Sequence, residues 1–197
     1  MEQIRTFIAI ELSRELQDSL GRIQDELKRQ VSERSVRWVK PEGVHLTLKF
    51  LGDVPAPRVA SVSQAVESAC LGFGPFAIEL AGLGCFPNLR RPRVVWVGVG
   101  EPTGTLARLQ RAVESALAGL GFEPEGRSFK PHLTLGRVQH RVGQGDRERL
   151  GELIAGYEAG RLGDMLVAAV NVMRSDLRPG GAVYTALARV PLQGRRR

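Results

Sequence analysis

Short apolar runs of strand length alternate along the chain with longer stretches in which apolar residues recur every three or four positions, the pattern of a mixed α and β protein. Residues 5–10 read as a strand. Ser13 follows as an N-cap, after which Leu16, Leu20, Ile23, Leu27 and Val31 fall on one face of a helix. Residues 44–50 form a second strand, ended by Gly52-Asp53, and residues 58–71 a helix with Val59, Val62, Val66 and Ala69 on its apolar face. Strands at 76–80 and 93–99 flank a loop rich in Gly, Pro and Arg. Thr103 or Thr105 caps a third helix running to Leu120, with Leu106, Leu109, Val113 and Leu117 as its stripe. A strand at 132–138, a helix at 146–157 and strands at 165–173 and 182–190, the last two joined by Arg178-Pro179-Gly180-Gly181, complete the chain.

This order repeats. The tetrapeptide His-Leu-Thr-Leu stands at 45–48 and again at 132–135, an offset of 132 − 45 = 87. The strands beginning near Phe76 and Met165 are 89 apart, as are those near Val94 and Val183, and the helices near Ser13 and Thr103 about 90. Two copies are too few for a solenoid, which needs at least ~3. The expectation is an α+β fold of two similar lobes related by a pseudo-twofold. No linker composition separates them, so residues 1–197 are read as one bilobal domain, with 193–197 a frayed basic tail.

Alternation along a strand puts His45 and Thr47 on one face and Val44, Leu46 and Leu48 on the other. His132 and Thr134 share a face in the same way, opposite Leu133 and Leu135. The leucines supply core against the helices, and two polar faces meeting across the pseudo-twofold make a cleft lined by two imidazoles and two hydroxyls. That set suits acid–base chemistry on a phosphodiester: a neutral histidine takes a proton from water, a protonated one gives a proton to the leaving oxygen, and the hydroxyls hold phosphate oxygens. Histidine fits because its ordinary pKa, ~6.5, populates both forms near neutrality. A single histidine in a strand is more often structural, but two of the three histidines here stand in identical tetrapeptides. His140 lacks a threonine two residues on and is read as a surface residue. A metal site, the other use for two histidines, would have to recruit groups such as Asp53 and Asp176, and no HxxxH, HxD or cysteine cluster asks for one. No cofactor is expected.

Composition narrows the setting. With 197 residues, 43% hydrophobic and 25% charged, the chain is an ordinary globular protein of about one domain at ~150 residues each. Cys70 and Cys85 are too few for a disulfide framework and read as buried thiols. The N-terminal apolar run is too short for a signal peptide, and no stretch approaches the ~20 residues of a membrane span, so the expectation is a cytoplasmic protein with no membrane partner. Lys+Arg 28 against Asp+Glu 21 gives +7, or +4 without Arg195, Arg196 and Arg197, a surplus that suits a polyanion.

With its two His-x-Thr motifs some eighty-odd residues apart, the chain resembles the 2H phosphoesterase superfamily, and within it the RNA 2′,3′-cyclic phosphodiesterases, also described as 2′-5′ RNA ligases. The likeness runs through residues 5–10, 37–52 and 129–137 and closes with Ser175 and the hairpin at 180–184, with Gly136 standing where the family often has alanine. The resemblance implies antiparallel sheets facing a central cleft with helices outside. It also implies metal-free hydrolysis of a terminal 2′,3′-cyclic phosphate to a 2′-phosphate, with weak reversible 2′-5′ ligation as a side reaction. By that likeness His45 is the proton donor, His132 the proton acceptor, and Thr47 and Thr134 the phosphate ligands; the internal symmetry alone leaves donor and acceptor unassigned. Arg127, Lys130 and Arg137 flank the second motif and are candidate substrate contacts. Arg90 and Arg91, in the loop at 85–93, join them as residues that can meet phosphate beside a stacked base, and Phe7 and Tyr184 are candidate cleft borders. The expected partner is an RNA end or nucleotide bearing a 2′,3′-cyclic phosphate, bound by a monomer. Two alternatives stay open: the same chemistry on a small cyclic nucleotide, and an RNA-binding module without catalysis.

Overall fold

The computed structural model describes residues 2–158, 161–179 and 181–194. Arg195, Arg196 and Arg197 of the expected tail and Gly180 of the expected last turn lie outside the described residues. Strand β1 (Gln3–Glu11) leads into helix α1 (Arg14–Lys28), started by Ser13, whose hydroxyl accepts the Leu16 N–H at 3.4 Å. Then follow β2 (Val36–Trp38), β3 (His45–Pro55), α2 (Val59–Cys70), β4 (Phe76–Phe86), β5 (Val94–Gly100), α3 (Thr105–Ala118), β6 (His132–Val138), α4 (Gln144–Ala155), β7 (Arg161–Val167), β8 (Ala169–Arg178) and β9 (Gly181–Pro191).

The apolar stripes bury as their spacing requires: Leu16, Leu20, Ile23 and Leu27 of α1, and Leu106, Leu109, Val113 and Leu117 of α3. α1 ends at Lys28, so Val31 of the expected stripe lies beyond the helix, and four further readings change. Gly52 does not end β3; at φ 72° it follows the bulged Leu51 and carries the strand on to Pro55. Gly82, at φ 68°, lies in a similar irregularity and lets β4 reach Phe86. Neither Thr103 nor Thr105 caps α3: the Glu101 carboxylate accepts the N–H groups of Thr103 and Leu106, at 2.8 and 3.0 Å. The strand read at 165–173 divides into β7 and β8, with Ala168 between them.

Among the described residues the strands make one nine-stranded sheet in the order β7-β4-β5-β6-β3-β1-β8-β9, with β2 beside β6. Its two halves are joined at one bridge, Leu46 opposite Leu133. The helices share a single apolar core with Leu46, Leu48, Leu133 and Leu135, whereas Phe7, Ala9, Met173 and Tyr184 cluster apart from that core.

The register reveals how the halves correspond. Thr47 pairs with Ala9 and Ala9 with Asn171, while Thr134 pairs with Trp96 and Trp96 with Gly84. The offsets 134 − 47, 96 − 9 and 171 − 84 are all 87, so β3, β1 and β8 match β6, β5 and β4. Each half of the sheet therefore takes its third strand from the other half of the chain. The counterpart of Val94 is Phe7, not Val183 as chain order implied: Val94 pairs with Arg137 as Phe7 pairs with Phe50. Cys70 and Cys85 are buried free thiols, and burial pushes them up to about 12 and about 11, so neither is a thiolate nucleophile.

Candidate active site

The bridge between Leu46 and Leu133 fixes the neighbourhood of both motifs. Antiparallel pairing there sets His45 beside Thr134 and Thr47 beside His132. Both leucines are fully buried in the helix-side core, so the four polar side chains stand on the opposite face. In a regular ladder, direct neighbours have Cβ atoms about 4.5–5.5 Å apart and diagonal ones about 7–8 Å. The histidines occupy the diagonal, with one threonine next to each. Neither threonine hydroxyl has a protein partner among the described residues, which leaves both free to meet an anion.

Each imidazole is oriented by a backbone carbonyl two residues before it. His45 Nδ1 donates to Gly43 O at 2.8 Å, and His132 Nδ1 donates to Lys130 O at 2.7 Å. A carbonyl only accepts, so Nδ1 carries a proton in both rings and Nε2 is the nitrogen left to exchange a proton with a ligand. Aromatic walls hold the ring planes: Phe7 and Tyr184 stand 4.7 and 4.8 Å from His45, and Phe86 and Trp96 stand 4.8 and 6.4 Å from His132. Burial against this wall lowers the His45 pKa below the ordinary histidine value, with the Gly43 carbonyl pulling the other way.

A bulge follows each motif. On β3, Thr47 pairs with Ala9 and Lys49 with Ile8, leaving Leu48 unpaired; on β6, Thr134 pairs with Trp96 and Gly136 with Val95, leaving Leu135 unpaired. The bulge turns the residue after the leucine inward. Lys49 is 5% exposed and bonded to Glu114, whereas Phe50 is 66% exposed and stands 5.9 Å from Phe7. At the matching place Gly136 is buried and Arg137 is exposed. The two bulges thus present an aromatic ring beside one motif and a guanidinium beside the other.

Of the candidates read from sequence, Phe7 and Tyr184 meet His45 directly. Burial holds the Tyr184 hydroxyl above the ordinary phenol value against the pull of Arg137 and then Arg5, which places both guanidiniums near it. Arg127 is turned to solvent in an ion pair with Glu125 at 2.9 Å, and the structure does not bring its side chain to the histidines. Lys130 contributes its carbonyl to His132, while its side chain is exposed. Arg90 and Arg91 are exposed and without side-chain partners among the described residues. Arg90 lines an open depression of about 650 Å³ beside Trp96 and Leu89. Sequence reasoning missed Phe50, Trp96 and Arg5: pairing brings Phe50 to Phe7 and Trp96 to Thr134, Arg5 acts on the Tyr184 hydroxyl, and no local signal marks any of them. Among the described residues, no three His, Cys, Asp or Glu side chains are grouped as metal ligands would be.

Trp96 lies across Gly84, where any Cβ would overlap the indole ring. Gly84→Ala is therefore expected to displace Trp96 from the His132 wall, shifting tryptophan emission and lowering turnover while the far-ultraviolet spectrum is kept. Unchanged emission and turnover together would show that the wall tolerates the methyl group.

A curled antiparallel sheet, helices on one face and a His-x-Thr pair from each half on the other, is the arrangement of a two-histidine phosphoesterase. The family model for LigT-like phosphoesterases matches residues 10–96 and again 97–184, and the chain belongs to that family. An RNA 2′,3′-cyclic phosphodiesterase of Methanothermobacter thermautotrophicus is 41% identical over 183 residues, 93% of this chain and 96% of the relative. One of Aquifex aeolicus is 31% identical over 98% of this chain and 100% of its own. Among solved structures, a protein of Thermus thermophilus superposes with a TM-score of 0.80 at 26% identity, covering 98% of this chain and 100% of that one. E. coli LigT complexed with 3′-AMP superposes at 0.75 and 27% identity, covering 97% and 99%.

Proposed function

We propose that this protein hydrolyses the 2′,3′-cyclic phosphate at an RNA end to a 2′-phosphate, by metal-free acid–base catalysis between His45 and His132. The duplicated His-x-Thr pair astride the central bridge carries the reading, and the activity named for the relatives supports it. His132 Nε2 takes a proton from water, whose oxygen forms the new bond to phosphorus in line with the departing 3′ oxygen. The P–O3′ bond breaks as His45 Nε2 gives its proton to that oxygen, leaving a 3′-hydroxyl and a 2′-phosphomonoester. Thr47 and Thr134 donate to the non-bridging oxygens, where negative charge gathers in the transition state. Arg137 adds positive charge, and the exposed ring of Phe50, backed by the buried Phe7, offers a surface to the terminal base. An alcohol entering in place of water gives a 2′-5′ linkage by the same route.

The test is an RNA oligomer ending in a 2′,3′-cyclic phosphate, incubated in excess EDTA, with the phosphate position in the product read by phosphorus NMR. A 2′-phosphate is expected; a 3′-phosphate, or no turnover, defeats the assignment. The 3′-AMP complex of the E. coli neighbour favours the small cyclic nucleotide as a second reading, and comparing kcat/KM for the oligomer and for 2′,3′-cyclic AMP separates the two.

The His45 environment sets the pH dependence. A donor must be protonated, and burial lowers its pKa in the free enzyme, so kcat/KM should begin to fall on the alkaline side below the ordinary ~6.5. Bound phosphate favours the imidazolium, so the alkaline limb of kcat should lie at higher pH than that of kcat/KM. Coincident limbs above the ordinary histidine range would argue against His45 as the donor.

A further inference from the structure

Beneath the two bulges lie two buried glutamines that answer to the same internal symmetry. Gln24 of α1 donates through Nε2 to Leu135 O at 2.9 Å and to Val39 O at 2.7 Å. Gln110 of α3 donates through Nε2 to Leu48 O at 3.4 Å and to Glu114 Oε1 at 3.3 Å. The glutamines are 110 − 24 = 86 residues apart and the bulged leucines 135 − 48 = 87. The contacts cross over: the helix of the first half grips the motif strand of the second, and the helix of the second grips that of the first.

Core packing does not account for either residue. Gln24 is 0% and Gln110 7% exposed, both on the apolar faces of their helices. A buried amide costs free energy unless it is bonded, and Gln24 Oε1 has no partner among the described residues. An apolar side chain of the same length would fill this place in the stripe without that cost. What the glutamine adds is a side-chain donor aimed at the carbonyl of a bulged residue, at Leu135 O beside the Val39 N–H that this oxygen also accepts at 2.8 Å.

We propose that Gln24 and Gln110 are positioning residues, which hold the bulged carbonyls of Leu135 and Leu48 and thereby aim Thr134 with Arg137, and Thr47 with Phe50, at the substrate. The proposal rests on the hydrolytic reading of the site, and it adds a division of labour: Gln24 serves the second motif and Gln110 the first. Gln24 makes the shorter bonds and carries the larger share.

The test is a set of double-mutant cycles on the full chain, with turnover of the cyclic-phosphate oligomer as readout and the folded state checked by circular dichroism. Gln24→Met, which keeps length and removes the donor, should lower kcat/KM about tenfold, the rate equivalent of one buried hydrogen bond. Added to Thr134→Ala it should cost clearly less, because one of the two groups it positions is gone and only Arg137 remains; added to Thr47→Ala its effect should multiply in full. Gln110→Met should give the opposite pattern with a smaller effect. A merely structural role multiplies with both threonine changes alike, and that result, or wild-type kcat/KM in Gln24→Met, overturns the proposal. If Gln24→Met does not fold, Gln24→Glu takes its place: its buried carboxyl stays protonated and keeps one donor, and it should show the same crossed pattern at reduced size. Wild-type turnover reports on the activity itself, so an inactive wild type defeats the hydrolytic reading, whereas an active one with uncrossed cycles defeats only this inference.

Discussion

Replacing His132 or His45 by alanine is expected to lower kcat by about 10²–10⁴-fold each, the usual contribution of a general base or acid, while the fold survives. Survival follows from placement: both rings are half-buried on the face opposite the main core, and each gives up one hydrogen bond to a backbone carbonyl. In the proposed mechanism acid and base act in one displacement, so the losses should not multiply, and the double variant should be little worse than the poorer single one. The two roles separate with a substrate in which sulfur replaces the 3′ bridging oxygen. A thiolate leaves without a proton, so His45→Ala should recover most of its loss on that substrate, whereas His132→Ala should not. Recovery by His132→Ala instead would exchange the two roles, and near wild-type turnover on the oxygen substrate in either variant would remove the mechanism.

What can be read from the chain depends on whether the cause is local. The α1 stripe and its Ser13 cap, the span of β6 and the facing of His45 with Thr47 each follow from residues within a few positions of one another. The bulges do not. Alternation carried past Thr47 sends Lys49 to the side of the histidines and Phe50 to the core, and the structure does the reverse. The bonds that accompany the reversal come from Gln110, 62 residues away for Leu48, and from Gln24 and the Val39 N–H, 111 and 135 − 39 = 96 residues away for Leu135. Phe50 is therefore invisible as a site residue in the sequence, and only closeness to the second motif points to Arg137. Exchange of β4 and β8 between the halves is non-local in the same sense. A repeat in sequence reports which segments are alike, not which half of the sheet each one joins, so the match of Val94 with Val183 fails where that of His45 with His132 holds. The Glu101 cap on α3 escapes a sequence reading because two threonines nearer the helix offer a simpler start.

Disrupting one side of the ion pair under β3 should cost more stability than any change on the site face. Lys49 Nζ lies 2.6 Å from Glu114 Oε2 and donates to Glu123 O at 2.8 Å, with the two side chains 3% and 16% exposed. Glu114→Leu leaves the ammonium buried with one carbonyl, and the expected loss is about 3–5 kcal/mol, as for other uncompensated buried charges. Lys49→Met should cost less, because Glu114 reaches solvent more readily and keeps the Gln110 amide and the Glu125 N–H, at 3.3 and 3.4 Å. The double variant Lys49→Met with Glu114→Leu should return close to wild type, since removing both charges also removes the desolvation they suffer. Urea midpoints at constant slope measure all three. If the double variant were as unstable as Glu114→Leu, the loss would come from tertiary packing rather than from the orphaned charge. The pair also ties β3, with the first motif, to the loop through Glu123 and Glu125 that leads to Lys130 and His132. Turnover of the folded fraction should therefore fall in Glu114→Leu and remain reduced in the double variant, because a restored core does not restore the tether.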